Sequence, residues 1–123
     1  MGIKQVIICR TDLDMSLGRI PAQVAHASIS VFLKMGEWNG DNFKLHNVPD
    51  DIQHWMKESF TKIVLKVHSE KELNDLEEKA KEYNLPFAMI SDDIGDEMYK
   101  MALAIGPADS YVLDGITGHL KLL

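Results

Sequence analysis

The chain has 123 residues, 46% of them hydrophobic and 26% charged, with a formal net charge of -6. That composition belongs to a globular protein with one core and is too short for two ordinary domains, so a single domain over residues 1–123 is expected. The acidic balance excludes a chain that is basic all over, but it leaves room for a local basic face.

No apolar run approaches the length of a membrane span. Lys4 and Gln5 precede only a short apolar run, Val6-Ile7-Ile8-Cys9, which does not read as a signal peptide. The lone Cys9 sits in that run, so no intrachain disulfide is possible and a buried, inert thiol is expected. These features fit a cytoplasmic protein that does not enter a membrane.

The first predicted element is a strand from Ile3 to Arg10, whose continuous apolar core suggests burial on both faces of a sheet. A polar loop, Thr11 to Gly18, follows. From about Arg19 the pattern becomes helical, with Ile20, Val24, Ala27 and Val31 at spacings of four, three and four. Ala22, Ala25, Ile29, Phe32 and Leu33 fill much of the remaining circumference, which predicts a helix packed nearly all round. Pro21 is tolerated in a first turn, and Gly36 offers a stop.

Residues 36–48 read as an irregular surface segment. Pro49-Asp50-Asp51 opens a short helix carrying Ile52, Trp55, Met56 and Phe60, its acidic start complementing the helix dipole. "KIVLKV", Lys62 to Val67, is a second strand. Ser69 and Glu72 form a capping box for a helix that buries Leu73, Leu76, Ala80 and Tyr83. Asn84 suits a left-handed end and Pro86 prevents the helix from resuming. Pro86 to Ile90 and Met101 to Ile105 are further strands, the last ending at Gly106-Pro107. Asp109 or Ser110 caps a helix to about Asp114, and the tail turns apolar again. The order β-α-α-β-α-β-β-α predicts one α/β domain, with helices on both faces of a small mixed sheet.

The stretch "RTDLDMSLGRIPAQVAHA", Arg10 to Ala27, gathers polar groups at the junction of the first strand and the first long helix. Ligands collect beyond the carboxyl ends of strands in open α/β sheets, and a helix N-terminus attracts anions. Arg19 is a candidate to clamp a phosphate or an oxyanion, but arginine does not readily give up a proton. Gln23, four residues on, lies on the same helical face and is a candidate to hold a water or a carbonyl. His26 lies a turn deeper among alanines; it is either a base or a hydrogen-bonded structural residue. Gly18 either admits a close ligand or serves its turn. Asp12 either orients Arg19 or caps the loop. Arg10 and lysines 34, 44, 57, 62 and 66 are candidates for phosphate contacts. Trp38 and Phe43 are candidates for base stacking, whereas the spacing of Trp55 places it in the core. The five histidines have no zinc spacing, and the acidic "DDIGDE" run fits no calcium loop, so no metal site is expected.

The same opening stretch resembles the motif R-x-D-L-x-M-x-x-G-K-x-A-A-Q-x-x-H-A of the archaeal and eukaryotic type of peptidyl-tRNA hydrolase. "LAIGPADSYVLDGITGHLKLL" is similar to that family's C-terminus, and "KIVLKVHSEKELNDLEEKAKEYNLPFAMISD" to its middle. The resemblance implies a three-layer α/β/α sandwich around a four-stranded mixed sheet, and usually a homodimer. It also implies hydrolysis of the ester between a peptide and the 3′-terminal ribose of tRNA, with tRNA as partner and no cofactor. By this resemblance Arg19, Gln23, His26 and Asp92 are catalytic candidates, and Arg10, Asp12 and Gly18 contact substrate. Two departures stand out. Arg19 replaces the motif's lysine, and "SDDIGDEMYKMALAIGP" lacks the threonines of D-A-G-x-T-Q and P-G-T-x-T. The alternative is therefore a binding or regulatory module that keeps the fold and has lost catalysis.

Overall fold

The computed structural model describes residues 2–123. In chain order the elements are β1 (Ile3–Arg10), α1 (Arg19–Met35), β2 (Glu37–Asn39), β3 (Asn42–Lys44), α2 (Asp50–Lys57) and β4 (Lys62–Val67). They continue with α3 (Glu70–Glu82), β5 (Phe87–Ile94), β6 (Glu97–Asp109), α4 (Ser110–Thr117) and β7 (Lys121–Leu122). Five strands form one sheet in the order β5-β6-β1-β4-β7, and β2 and β3 form a separate hairpin. β1 runs parallel to β4, and the other pairs in the sheet are antiparallel. The sheet is therefore mixed, as expected, with one strand more than the four anticipated.

Alternation along the central strands sorts the core into two layers. Val6 and Ile8 face α3 and α4 together with Leu65, Val67, Leu103 and Ile105. Ile7 and Cys9 face α1 and α2 together with Ala88, Ile90, Ala102 and Ala104. This is the three-layer sandwich. Trp55 is fully buried, stacks with Phe32, and donates its indole N–H to the Thr61 carbonyl at 2.8 Å.

The differences from the sequence reading have physical reasons. β5 and β6 continue through "SDDI" and "EMYK" as a hairpin, in which Asp92 faces Tyr99 and Ile94 faces Glu97. Its turn is Gly95-Asp96, with Gly95 at φ +63, the left-handed value that two-residue hairpin turns require. These extensions are largely solvated, so no apolar run marks them. β6 also runs past Gly106-Pro107 to Asp109, and the register against β1 shifts between Lys4 and Val6. Gly106, at φ +100, has no room for a side chain: a Cβ would lie 2.8 Å from the Lys4 carbonyl oxygen. Residues 36–48 include the β2–β3 hairpin rather than being wholly irregular.

α1 is not packed all round: Ile29 and Leu33 are 54% and 51% exposed. Met56 and Tyr83, expected in the core, are also exposed, and Phe60, expected on the short helix, is exposed beyond the end of α2. The α3 cap departs by one atom pair from a closed box. Ser69 Oγ accepts from the Glu72 N–H, but Glu72 Oε2 accepts from the His68 N–H, one residue upstream of the cap. Asn84 takes the left-handed conformation expected of it, at φ +53.

One buried polar side chain sets the height of α1 on the sheet. Gln5 on β1 is fully buried and donates through Nε2 to the carbonyls of Ser28 and Gly106, each at 3.2 Å. Its Oε1 accepts from Ser28 Oγ at 2.5 Å. Gln5→Ala strands these partners and leaves a cavity. It should lower unfolding free energy by about 2–4 kcal/mol in a denaturant titration, while Gln5→Glu measures the cost of a charge at the same place.

Candidate active site

The candidate residues fall into two groups that β6 connects. In the first, Arg19 and Gln23 stand one turn apart on α1 and converge on Asp92 of β5. Asp92 Oδ2 accepts from Gln23 Nε2 at 2.7 Å and pairs with Arg19 Nη2 at 3.1 Å. Arg19 Nη2 also donates to the Asp93 carbonyl, and the Asp93 N–H donates to Asp92 Oδ1 at 2.9 Å. The Arg19 and Asp92 side chains are 31% and 41% exposed, so their pairing adds little to stability. What it fixes is direction: the guanidinium is held at the entrance of α1, where no side chain caps the helix.

Gln23 is buried, at 5% exposure, and its Oε1 is fully buried without a donor among the described residues. Its orientation is fixed chemically, because only the NH2 end can face a carboxylate. Its Oε1 is closed to solvent, so what Gln23 turns toward the site is the amide NH2 on Asp92.

The second group is Arg10 and Asp12. Arg10 donates through Nε and Nη2 to both carboxylate oxygens of Asp12, at 3.0 and 2.7 Å, and through Nη1 to the Lys100 carbonyl at 3.3 Å. Glu70 lies 3.7 Å from Nη1. With a side chain only 8% exposed and its fork engaged on three elements, Arg10 is occupied as a clamp for the loop after β1. It is not a free phosphate contact, and Asp12 pairs with Arg10, not with Arg19. Lys100 lies opposite Ser91, the neighbour of Asp92, so the clamp and the first group share the β5–β6 ladder.

Gly18 precedes α1 at φ -72 and ψ -26, values open to any residue, and a Cβ there would meet nothing within 4 Å. The chain's own packing does not require a glycine. His26 is exposed, and it makes no hydrogen bond or ion pair among the described residues. The sequence leaves His26 as either a base or a hydrogen-bonded structural residue set deeper in the helix; the side chain is instead exposed, although Ala27 next to it is fully buried, because adjacent helical positions face different directions. Trp38 is 69% exposed at the edge of the β2–β3 hairpin, packed edge-on against Phe43.

Cys9 is pushed up to about 11 by burial, which keeps it a thiol. Asp12 lies below the usual carboxylate range, chiefly through its hydrogen bond from Arg10. Asp92 is lowered to about 2, first by the Asp93 backbone N–H and then by Gln23, with Arg19 contributing further.

Residues 3–123 match the family described as peptidyl-tRNA hydrolase PTH2. The chain belongs to this family. Among curated relatives, a protein of Sulfurisphaera tokodaii named peptidyl-tRNA hydrolase is 42% identical over the full length of both chains. Proteins of the same name from Methanocaldococcus jannaschii and Halobacterium salinarum are 39% and 41% identical. Each alignment covers 98% of this chain, and 100% and 99% of the relatives. Membership accounts for the end motifs and the sandwich. Sequence reasoning missed the clamp role of Arg10. The two-residue spacing of Arg10 and Asp12 at a strand end was its only visible signal.

A large apolar groove, about 660 Å³, runs along the other flank of α1, lined by Val24, Ile29, Phe32, Leu33, Met56 and Phe60 among others. None of Arg19, Gln23 or Asp92 lines it. The polar convergence, not the larger cavity, is the better candidate for chemistry, because apolar walls offer nothing to an ester carbonyl. Among the described residues no helix is long and apolar enough to cross a membrane.

The lowered Asp92 pKa has a definite sign. Its share of stability is present above the unfolded value of about 3.9 and is lost as pH falls toward the folded value. A 13C carboxyl titration should place Asp92 near pH 2. In Gln23→Leu, which removes one of its donors, the midpoint should rise.

Proposed function

We propose that this chain hydrolyses the ester between a peptide and the 3′-terminal ribose of tRNA, with Arg19, Gln23 and Asp92 as its central constellation. The observation that carries the reading is the double acceptance at Asp92 Oδ2 from Arg19 and Gln23. Family membership supplies the substrate class. Assembly of these groups at the strand end supports an active site over a fold emptied of chemistry.

In the reaction, a water oxygen attacks the ester carbonyl carbon and negative charge develops on the carbonyl oxygen. The intermediate collapses with cleavage of the bond to the ribose oxygen. That oxygen takes up a proton, and the peptide leaves as a free carboxylate. Arg19 stabilises the developing oxyanion as a fixed cation. Gln23, buried on α1, holds the Asp92 carboxylate in place beside Arg19 through its Nε2. Asp92, ionised down to about pH 2, orients the other two and is too weak a base to take the proton. Among the four catalytic candidates His26 is the imidazole, a side chain that can both accept and donate a proton, and it lies exposed three residues beyond Gln23 on α1. The part of Gly18 is to let the substrate backbone pass the helix entrance. Arg10 and Asp12 act indirectly, by holding the loop.

Arg19→Ala and Asp92→Ala should each lower kcat on peptidyl-tRNA by about a hundredfold or more, the scale of removing one electrostatic interaction with the transition state. His26→Ala should fold normally, since the ring is exposed, and should lower kcat without changing tRNA affinity. Parent protein that binds peptidyl-tRNA and releases no peptide would establish the non-catalytic module instead.

The same reading includes a homodimer. Full burial contributes about 1.5–3 kcal/mol per large aliphatic side chain, and Ile29 and Leu33 forgo much of this in a single chain. Together with Met56 and Phe60 they make an apolar face of the kind that marks association surfaces. Light scattering should give twice the chain mass. Ile29→Asp with Leu33→Asp should give the single-chain mass with secondary structure unchanged.

A further inference from the structure

The two edges of the main sheet carry opposite charge. At the β5–β6 end stand Asp92, Asp93, Asp96 and Glu97. At the other edge Lys66 of β4 and Lys121 of β7 lie directly opposite one another in the antiparallel register. Residues so placed share a face of the sheet, and like charges there are destabilising. Neither ammonium group has a carboxylate partner or a hydrogen bond among the described residues, although the chain is acidic overall. Both line a groove of about 250 Å³, together with His68, His119 and Glu72. The one carboxylate there, Glu72, is engaged by the His68 backbone N–H at 2.6 Å.

Position links this edge to the site. His68 Nδ1 lies 2.8 Å from Thr11 Oγ1, on the loop held by the Arg10–Asp12 clamp. Four strand spacings put the two sheet edges about 19 Å apart, more than two Debye lengths of about 8 Å at physiological salt. The acidic hairpin therefore does not cancel the field of the lysine pair. In the β4–β7 groove the two lysines outnumber the single carboxylate of Glu72, which gives a polyanion a locally positive surface there that the β5–β6 end lacks.

We infer that the β4–β7 edge, through Lys66 and Lys121, receives the phosphate backbone of the tRNA body while its 3′ end reaches the Arg19–Gln23–Asp92 site. This rests on the hydrolase reading above and deepens it: it names where the RNA lies. The contact is sequence-independent, because a lysine reads phosphate as a point charge. It also accounts for keeping two lysines in a position that costs stability.

The test compares the parent with Lys66→Gln/Lys121→Gln, using fluorescently labelled deacylated tRNA across a salt series, and peptidyl-tRNA turnover. The double variant should bind tRNA at least about tenfold more weakly at low salt, with a salt slope shallower by about two, one for each phosphate no longer neutralised. KM should rise with kcat unchanged, and thermal stability should hold or increase. Equal affinity and slope in parent and variant, with parent turnover intact, would overturn the assignment and leave the hydrolase reading standing. Parent protein that neither binds tRNA nor turns over peptidyl-tRNA would end both. A fall in kcat at unchanged KM would also overturn it, by placing the lysines in the chemistry instead.

Discussion

A single carboxylate oxygen, Asp92 Oδ2, receives both Gln23 and Arg19, and this joins the edge of the sheet to the start of α1. The geometry depends on several independent features. Residues 19 and 23 must share a helical face, which a spacing of four provides. α1 must sit at the right height, which Gln5 fixes through Ser28. Asp92 must project from a strand that continues beyond its apolar part, which the Gly95 turn allows. Arg10 then ties the loop ahead of α1 to the Lys100 carbonyl, opposite Ser91. The site is thus held from the sheet, from the helix and from the loop that joins them.

The buried polar side chains show where stability and chemistry part. Gln5, Arg10, Gln23 and Thr117 are the buried polar residues. Thr117 donates to the Leu113 carbonyl, and Gln5 and Arg10 are held by several partners each. Among the described residues Gln23 alone keeps a buried side-chain acceptor without a protein donor. A folded chain ordinarily satisfies such a group, since an unpaired buried one costs about 1–3 kcal/mol. Retaining it beside an ionised carboxylate and a cation is the kind of local inconsistency that functional sites tolerate.

The sheet core and its helices were legible because apolar runs and caps act locally. Val6 to Cys9, "KIVLKV", the Ser69 cap and the left-handed Asn84 all report short-range physics. The hairpin extension, the β2–β3 pair and β7 were not, because solvated strands gain their order from pairing, which no single segment records. Within the site, the Arg19–Gln23 spacing was readable from helix geometry alone. The convergence of Asp92 on them entered only through family resemblance, since 69 residues separate it from Gln23. Arg10 looked like a cation for substrate because its charge is visible in the sequence and its partners are not. The exposure of Ile29 and Leu33 was hidden for a related reason: a helical wheel shows which face is apolar, not whether anything in the same chain covers it.

Arginine in place of the motif's lysine changes what the site can do without emptying it. Arg19 spends Nη2 on Asp92 and on the Asp93 carbonyl, and its planar fork leaves Nε and Nη1 without partners among the described residues. A lysine has a single nitrogen and would have to share it between carboxylate and substrate. Arginine can stay tethered to Asp92 and still present donors in a fixed plane. It cannot supply a proton. In the reaction proposed above, position 19 therefore serves an oxyanion by charge and hydrogen bonding alone, and the proton that reaches the ribose oxygen travels by another group. With Asp92 held ionised by its neighbours, the proposed reaction draws on the exposed stretch of α1 just beyond Gln23, or on solvent, for that proton. An open rather than enclosed entrance to the helix is what such a proton path needs.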